Sequence, residues 1–200
     1  MMGSPRILDA LTKALRVLPA VGPKSAQRIA YHLLQNDRKG AAQLAQAINH
    51  ALEHVQHCRY CNTFCETEVC EICSDQGRRH NVLMIVQMPI DVESMEDARC
   101  HDGVYFVLMG QVNPAQNMDL SAIALDKLVK RLENGQIEEI IIATNFTAEG
   151  DATAYVLSEL FKNQHYKISR LARGMPLGGE IEYVDAGTLA QSVHDRRKLK

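Results

Sequence analysis

The stretch LPAVGPKSAQRIA, residues 18–30, places a short turn between two helical patterns. Before it, apolar residues recur at spacings of three and four from Ile7 onward, and Pro19 ends that pattern. After it, Pro23 suits the first position of a new helix, which the apolar spacing extends to about Asn36. The sequence therefore predicts two helices joined by a tight hairpin.

A third helix is predicted downstream of the hairpin. Apolar residues keep a helical spacing from about Ala41 to Val55, and Gly40 is expected to separate this helix from the one before it. At the other end, Ser4 and Pro5 are typical of a helix start, with serine as the cap and proline in the first turn. The first part of the chain is thus predicted to be all helical.

The second helix begins with positive charge. Gly22 lets the backbone approach a ligand closely, and the free N–H groups of a first helical turn favour an anion. Lys24 and Arg28 lie one turn apart on the same face. We expect them to contact phosphate groups of DNA without reading the base sequence. The alternative is an ordinary helical hairpin whose cations are merely solvated.

Charge is divided unevenly along the chain. The formal net charge is −2, but the first 50 residues contain seven lysines and arginines against two aspartates. A basic end on an acidic body indicates that the first segment meets a polyanion. The basic tail at residues 196–200 is interpreted as solvated, although contact with DNA is an alternative.

Four of the six cysteines form two closely spaced pairs. The pattern C-x2-C-x8-C-x2-C supplies four thiolates, which suits a tetrahedral zinc ion and leaves no open position for catalysis. A redox protein would instead carry one C-x-x-C at a strand–helix junction, and core cysteines rarely fall in such pairs. The predicted zinc ligands are Cys58, Cys61, Cys70 and Cys73.

Two further side chains near this pattern could compete as ligands. Cys65 lies outside both pairs and is predicted to be a spare thiol, and His57 directly precedes Cys58 and would need a strained chelate. The chain shows no run of 18 apolar residues and no signal peptide, so we expect a cytoplasmic protein without a membrane span, in which disulfides are rare.

Beyond the polar run SDQGRRHN (residues 74–81) the periodicity changes. Continuous apolar runs alternate with helical patterns, which is typical of βαβ units around a parallel sheet. After the last of them, EIEYV (180–184) is predicted to form a strand and TLAQSVHDRRKLK (188–200) a helix. The predicted strands of the sheet are 82–86, 104–110, 138–144 and 167–172, and the predicted helices between them are 91–99, 120–134 and 151–164.

The order of these parts resembles the RecR family of bacterial recombination mediator proteins. The resemblance covers essentially the whole chain, and its most specific motifs are ATNFTAEGDATAYVLSEL and RLARGMPLGGEIEYVDAGTL in the second half. It implies an α/β protein in four parts. These are a helix-hairpin-helix domain (1–56), a four-cysteine zinc finger (57–76), a Toprim domain (80–175) and a C-terminal strand and helix for oligomerisation (176–200).

The resemblance also implies function. Family members form ring-like oligomers that can encircle DNA, and with RecO and RecF they help to load RecA at single-strand gaps. Carried onto this sequence, it implies one structural Zn²⁺ at the four cysteines and DNA contact from Lys24 and Arg28. It further implies that Glu149 meets RecO and that the protein acts near the nucleoid.

Two departures from the family pattern bear on this reading. Ala20 replaces the first glycine of LPGVGPK, which costs roughly 1–2 kcal/mol if that residue must be left-handed. Gln87 stands where Toprim enzymes keep a glutamate, and Thr144 and Asn145 replace their Asp-x-Asp. Because Mg²⁺ prefers carboxylates, we expect no catalysis. The alternative is a Mg²⁺-dependent Toprim nuclease or primase-like enzyme.

Overall fold

The computed structural model of the chain describes residues 6–113, 120–133, 136–176 and 178–196. The chain divides into two compact units, of which the first ends at Val55 and the second begins at Gln56. Among the described residues, no helix is long and apolar enough to cross a membrane.

The first unit contains three helices, in which α1 packs against α2 and α2 against α3. Ala26 and Ala30 are the fully buried side chains of α2, and their small size allows the neighbouring helices to approach closely. The predicted start at Ser4 and Pro5 lies outside the described residues. The helices are α1 (Arg6–Leu15), α2 (Pro23–Gln35) and α3 (Arg38–His54).

The third helix begins earlier than predicted. Asp37 caps it, and its Oδ1 accepts a hydrogen bond from the backbone N–H of Gly40 at 2.8 Å. A Cβ at Gly40 would lie 2.1 Å from Asp37 Oδ2. Gly40 therefore does not break the helix, as the sequence had suggested, but leaves room for the cap in its first turn.

In the hairpin between α1 and α2, the residue with an unfavourable backbone conformation is Ala20. This residue has φ +63°, in the left-handed region that disfavours a Cβ, whereas Gly22 has φ −78°. No atom outside the adjoining residues lies within 4 Å of a Cβ built at Gly22. The strained position is thus the one where the family glycine is absent.

The second unit opens with the cysteine-rich segment. A short antiparallel pair joins Gln56 to Cys65 and His57 to Phe64, and a single helical turn follows. These elements are β1 (Gln56–His57), β2 (Phe64–Cys65) and α4 (Glu71–Ser74).

A four-stranded, fully parallel sheet follows, in the order β4-β3-β5-β6. The predicted parallel α/β architecture is confirmed. Every residue of β4 is buried, as expected for a strand covered on both faces. The elements are β3 (Arg79–Val86), α5 (Pro89–Ala98), β4 (Gly103–Val107), α6 (Leu125–Glu133), β5 (Glu139–Ile142), α7 (Ala148–Phe161) and β6 (Lys167–Arg170).

Two further local predictions, both in the second unit, were wrong. A short 3-10 helix, Leu120–Ala122, precedes α6 where one continuous helix was expected. The predicted strand EIEYV forms a 3-10 turn, Ile181–Tyr183, whose Ile181 and Tyr183 are 70% and 80% exposed. A β-pattern becomes a strand only beside a partner strand, and no described strand pairs with this segment. The last helix is α8 (Ala186–His194), and residues 197–200 of the basic tail lie outside the described part.

Candidate zinc site and nucleic-acid interface

The cysteine cluster is formed by two backbone turns that face one another. The four sulfur atoms all lie within 4.8 Å of one another and all four residues are buried. In the first turn, Asn62 adopts φ +61° and its N–H donates to the Cys58 carbonyl at 2.9 Å. In the second, Cys70 precedes α4 and its N–H points at Cys58 Sγ, 3.4 Å away. Four converging sulfurs without another ligand type suit a closed, structural zinc site.

Neither competing side chain joins this cluster. The Cys65 thiol donates to the Thr67 carbonyl at 2.9 Å, and burial raises its pKa, which keeps it protonated. His57 makes a 2.9 Å contact from Nδ1 to the Asn62 carbonyl, and its ring lies tilted against that of Phe64 with the ring centres 5.0 Å apart.

The cluster is fastened to the parallel sheet by Asn62. Its Nδ2 donates to the Val107 carbonyl at 2.8 Å, and the Val107 N–H donates to the Cys61 carbonyl at 2.8 Å. Lys127 Nζ, from α6, donates to Asn62 Oδ1 at 2.7 Å. These hydrogen bonds attach the first cysteine turn to the end of β4 and to α6.

The basic helix start in the first unit is open to solvent. Lys24 and Arg28 are both exposed, and no carboxylate among the described residues forms an ion pair with either. Gly22 precedes α2 and no side chain caps its N-terminus. The arrangement presents free N–H groups and two positive charges together, which is chemistry suited to a phosphate.

At the carboxyl edge of the sheet, Gln87 fills the position at which Toprim enzymes keep a glutamate. It is 2% exposed, and its Oε1 accepts from the backbone N–H of Asn145 at 2.9 Å. That donor fixes the orientation of the amide, so Nε2 donates to Gln111 Oε1 at 3.0 Å. A carboxylate could accept the first bond but could not donate the second.

The neighbouring polar groups of this edge are also occupied. Thr144 donates to the Gly150 carbonyl at 2.8 Å. Asp91 Oδ2 accepts from the backbone N–H groups of Gln87 and Met88, at 3.1 and 2.8 Å. Both side chains are thus hydrogen-bonded to backbone groups of the same edge.

Glu149 lies at the start of α7, which follows β5 at the same edge. Thr147 caps that helix by accepting from the Gly150 N–H at 3.2 Å. Glu149 is half-buried, and its Oε1 accepts from Asn113 Nδ2 at 3.4 Å. It is the second residue of the helix, where a negative charge is favourable.

A cluster that the sequence reasoning missed surrounds Asp151 in α7. Its carboxylate accepts from Arg173 at 2.7 and 2.8 Å and from Arg170 at 2.6 Å, and these bonds lower the pKa of Asp151. Both guanidinium groups also lie within 5 Å of the centre of the Phe146 ring. Arg170 and Arg173 are three residues apart, but Asp151 lies about twenty residues before them in α7, so no spacing rule could have linked it to the pair.

Comparison with known proteins agrees with this architecture segment by segment. The family models that match are the RecR helix-hairpin-helix at residues 8–52, the RecR four-cysteine zinc finger domain at 55–75, the Toprim domain at 81–172 and the RecR C-terminal region at 174–197.

Close relatives match over nearly the whole length. The Recombination protein RecR of Neisseria meningitidis serogroup C (strain 053442) is 66% identical over 192 residues, which cover 96% of this chain and 94% of the relative. The chain belongs to the RecR family. The RecR proteins of Neisseria gonorrhoeae (strain NCCP11945) and Chromobacterium violaceum are 65% and 55% identical and match 95% and 98% of the chain, and 92% and 99% of their own lengths.

Membership of the RecR family decides the metal of the cysteine cluster. The buried four-sulfur cluster lies within the segment that matches the RecR zinc finger domain, so the chain carries one structural zinc. Bound there, the ion supplies cross-links within a short segment rather than Lewis-acid catalysis.

Proposed function

We propose that this protein is a non-catalytic DNA clamp of recombinational repair. The observation that carries the proposal is the start of α2, where Lys24 and Arg28 project beside an uncapped helix end with no acidic partner among the residues described. The names of the RecR relatives support the recombination role. Phosphate contacts of this kind position a protein on DNA without selecting a sequence.

The four-part division of the chain is included in this proposal. The helix-hairpin-helix domain (1–56) contacts DNA, and the zinc finger (57–76) stiffens its join to the Toprim domain (80–175), with Cys58, Cys61, Cys70 and Cys73 as the ligands. The Toprim domain is a docking surface, and residues 176–200 take part in oligomerisation.

Exposed apolar side chains support a ring-like dimer or tetramer. Helix α3 has no fully buried residue, and Leu44, Ile48 and Leu52 are 49%, 50% and 77% exposed along it. These three follow one another at a helical spacing of four. A stripe of this kind is covered when a second copy packs on it. A closed ring would place several copies of Lys24 and Arg28 around one duplex, so that individually weak phosphate contacts add up.

Glu149 supports a docking role for the Toprim domain. Its carboxylate is bound on one side to Asn113, yet it stays half-buried rather than enclosed. We assign it to the contact with RecO, which together with RecF uses the clamp in loading RecA at single-strand gaps. We accordingly place the protein in the cytoplasm, at the nucleoid.

The absence of catalysis is also part of the proposal. Gln87 is held by one donor and one acceptor and brings no charge to the sheet edge, where a Toprim enzyme would hold Mg²⁺. The rival, a Mg²⁺-dependent nuclease, predicts nicked product that disappears in Glu149→Gln. Nicking by the wild-type protein that this variant abolishes would refute a non-enzymatic role.

The DNA-binding proposal is tested by replacing both cations of the hairpin. Lys24→Ala plus Arg28→Ala should weaken binding to gapped duplex at least tenfold at low salt and reduce the steepness of the salt dependence by about 2, since each lost phosphate contact contributes about 0.9. The matched control is Lys13→Ala plus Arg16→Ala, which removes the same charge from exposed positions of the same unit. Unchanged affinity and slope in the hairpin variant would show that this surface does not bind DNA.

A further inference from the structure

A second basic surface lies where the first cysteine turn meets α6. A pocket of about 460 Å³ is lined there by Arg59, Tyr60, Lys127, Lys130 and Arg131. Four of the five side chains are cations and none is acidic. The volume falls within the range, roughly 300–1,000 Å³, that is typical of pockets for small-molecule ligands.

Tyr60 gives this pocket an aromatic surface. The side chain is 37% exposed, and the guanidinium carbon of Arg131 lies 5.0 Å from the centre of its ring, with that of Arg59 at 5.8 Å. Tyrosine rings and guanidinium planes both provide flat surfaces on which an unpaired base can stack. Such stacking is available in single-stranded DNA and not in a closed duplex.

No buried ion pair in the described part of the chain neutralises Arg59, Lys127 or Arg131. Lys127 donates to the neutral Asn62, and in the described part of the chain neither it nor Arg131 forms an ion pair. Arg59 pairs with Glu68 at 2.9 Å, but the two side chains are 66% and 71% exposed. Surface pairs of this kind contribute little, so a phosphate can displace Glu68 at small cost.

The pocket is also held rigidly. Arg59 and Tyr60 lie between Cys58 and Cys61, and the Asn62 bonds described above fasten that turn to Val107 and Lys127. A site preformed by these bonds loses little conformational entropy when a ligand binds. The sequence carried a signal for it in the Lys-x-x-Lys-Arg spacing of α6, but nothing in the sequence placed α6 beside the first cysteine turn.

We propose that this pocket binds single-stranded DNA, with a phosphate held by the cations and a base stacked against Tyr60. The inference takes its ligand class, DNA, from the proposed function but does not depend on the hairpin. An acidic peptide is the competing ligand; it would use the cations and gain nothing from the ring.

The test uses the full-length, zinc-loaded protein and labelled oligo(dT), with binding followed by fluorescence anisotropy as salt is raised. Tyr60→Leu should weaken binding at least fivefold with no change in salt slope, and Tyr60→Phe should restore it. Arg59→Gln plus Lys130→Gln should lower the slope by about 1.4, because each single-strand contact contributes about 0.7. The matched control, Lys162→Gln plus Lys167→Gln, removes two exposed cations elsewhere and should leave the slope unchanged.

Unchanged affinity and slope in both pocket variants would overturn the proposal. Poly-glutamate, measured in the same way, represents the competing acidic peptide. The proposal would also be overturned if Tyr60→Leu bound oligo(dT) normally and the Arg59 and Lys130 variant lost binding to poly-glutamate but not to oligo(dT). That result would assign the pocket to acidic peptides. Zinc content and far-UV circular dichroism establish that each variant is folded. If Tyr60→Leu loses zinc, the salt slope of the Arg59 and Lys130 variant decides whether the pocket binds DNA. Failure of the hairpin proposal appears separately, as normal gapped-duplex binding by the Lys24 and Arg28 variant.

Discussion

The cysteine cluster and the carboxyl edge of the parallel sheet both lie where related sequences carry metal ligands, yet they are built from different chemistry. At the cluster, four sulfurs converge within 4.8 Å and bring ligands suited to zinc. At the sheet edge, Gln87 brings a neutral amide whose oxygen and nitrogen are both hydrogen-bonded within the protein. The two regions therefore differ in the charge of their side chains and in whether the polar atoms are already hydrogen-bonded within the protein.

The largest expected effect comes from removing a sulfur from the cluster. Cys61→Ser should abolish stoichiometric zinc binding and unfold the cysteine-rich segment, because binding of a structural zinc supplies on the order of 10 kcal/mol to such small modules. Zinc per chain by elemental analysis and hydrogen exchange across residues 58–73 measure the two effects. The control, Cys65→Ser, should keep one zinc per chain; loss of zinc there would bring Cys65 into the ligand set.

The second prediction concerns the opposite change, which adds a carboxylate to the sheet edge and tests whether Mg²⁺ then binds there. Gln87→Glu buries a carboxylate next to the Gln111 oxygen and removes the amide donor, so it should destabilise the protein by about 1–3 kcal/mol. Burial should raise the pKa of the new carboxyl group, so the loss of stability should be greater at pH 8 than at pH 5.

Urea denaturation with and without Mg²⁺ measures this prediction. Gln111→Glu, a half-buried neighbour, serves as the control for adding charge at this edge. A Mg²⁺-dependent gain in stability with Gln87→Glu would contradict this prediction, because the other groups of the edge would then complete a metal site. The difference in metal chemistry between the cysteine cluster and the sheet edge would then depend on residue 87 alone.

A smaller effect on stability is expected in the hairpin, where it depends on the backbone conformation of single residues. Ala20→Gly should stabilise the protein by about 1 kcal/mol, because glycine removes the cost of a left-handed φ but adds freedom to the unfolded chain. Gly22→Ala should have no destabilising effect, since its φ is negative and a Cβ has open space. Thermal unfolding of the two variants compares them, and the reverse order would place the strained residue at position 22.

The smallest effect concerns Asp151, a carboxylate near the sheet edge whose negative charge is paired with two arginines. Because Arg173 and Arg170 lower the pKa of Asp151 in the folded state, its contribution to stability is complete above the ordinary aspartate pKa and is lost as pH falls through the lowered value. The side chain is 43% exposed, so solvent screens the effect.

The difference in urea midpoint between wild type and Asp151→Asn measures this contribution. It should be constant from pH 7 to about 5 and shrink on further acidification. A difference that grows as the pH falls would contradict the assigned direction of the pKa.

Much of the fold follows from local pattern, because the signals are short-range. The paired cysteines, the apolar runs that became β3, β4 and β5, and the hairpin at residues 18–30 all act over a few residues. EIEYV shows the limit of this reasoning, since its alternation suits a strand but no neighbouring strand is present among the residues described. The first residue of α3 was missed because the contact between Asp37 and Gly40 overrides the usual effect of glycine on a helix.

The candidate sites divide in the same way. The ligand set at the cysteines could be predicted from spacing, because each pair acts within one turn of backbone. The bonds made by Gln87 could not, since its partners at positions 111 and 145 are distant in sequence and meet only at the sheet edge. Likewise, the left-handed φ of Ala20 required the structure, although the missing glycine had marked the position.

The proposed clamp depends above all on the start of α2 lying against the DNA backbone. The direct measurement is photo-cross-linking to gapped duplex from a photo-reactive residue in place of Gln27, with Gln43 of α3 as the comparison position; both side chains are exposed and neither replacement touches Lys24 or Arg28. We expect strong cross-linking from position 27 that falls steeply as salt is raised. Cross-linking from position 43 with none from position 27 would contradict a DNA-bound hairpin.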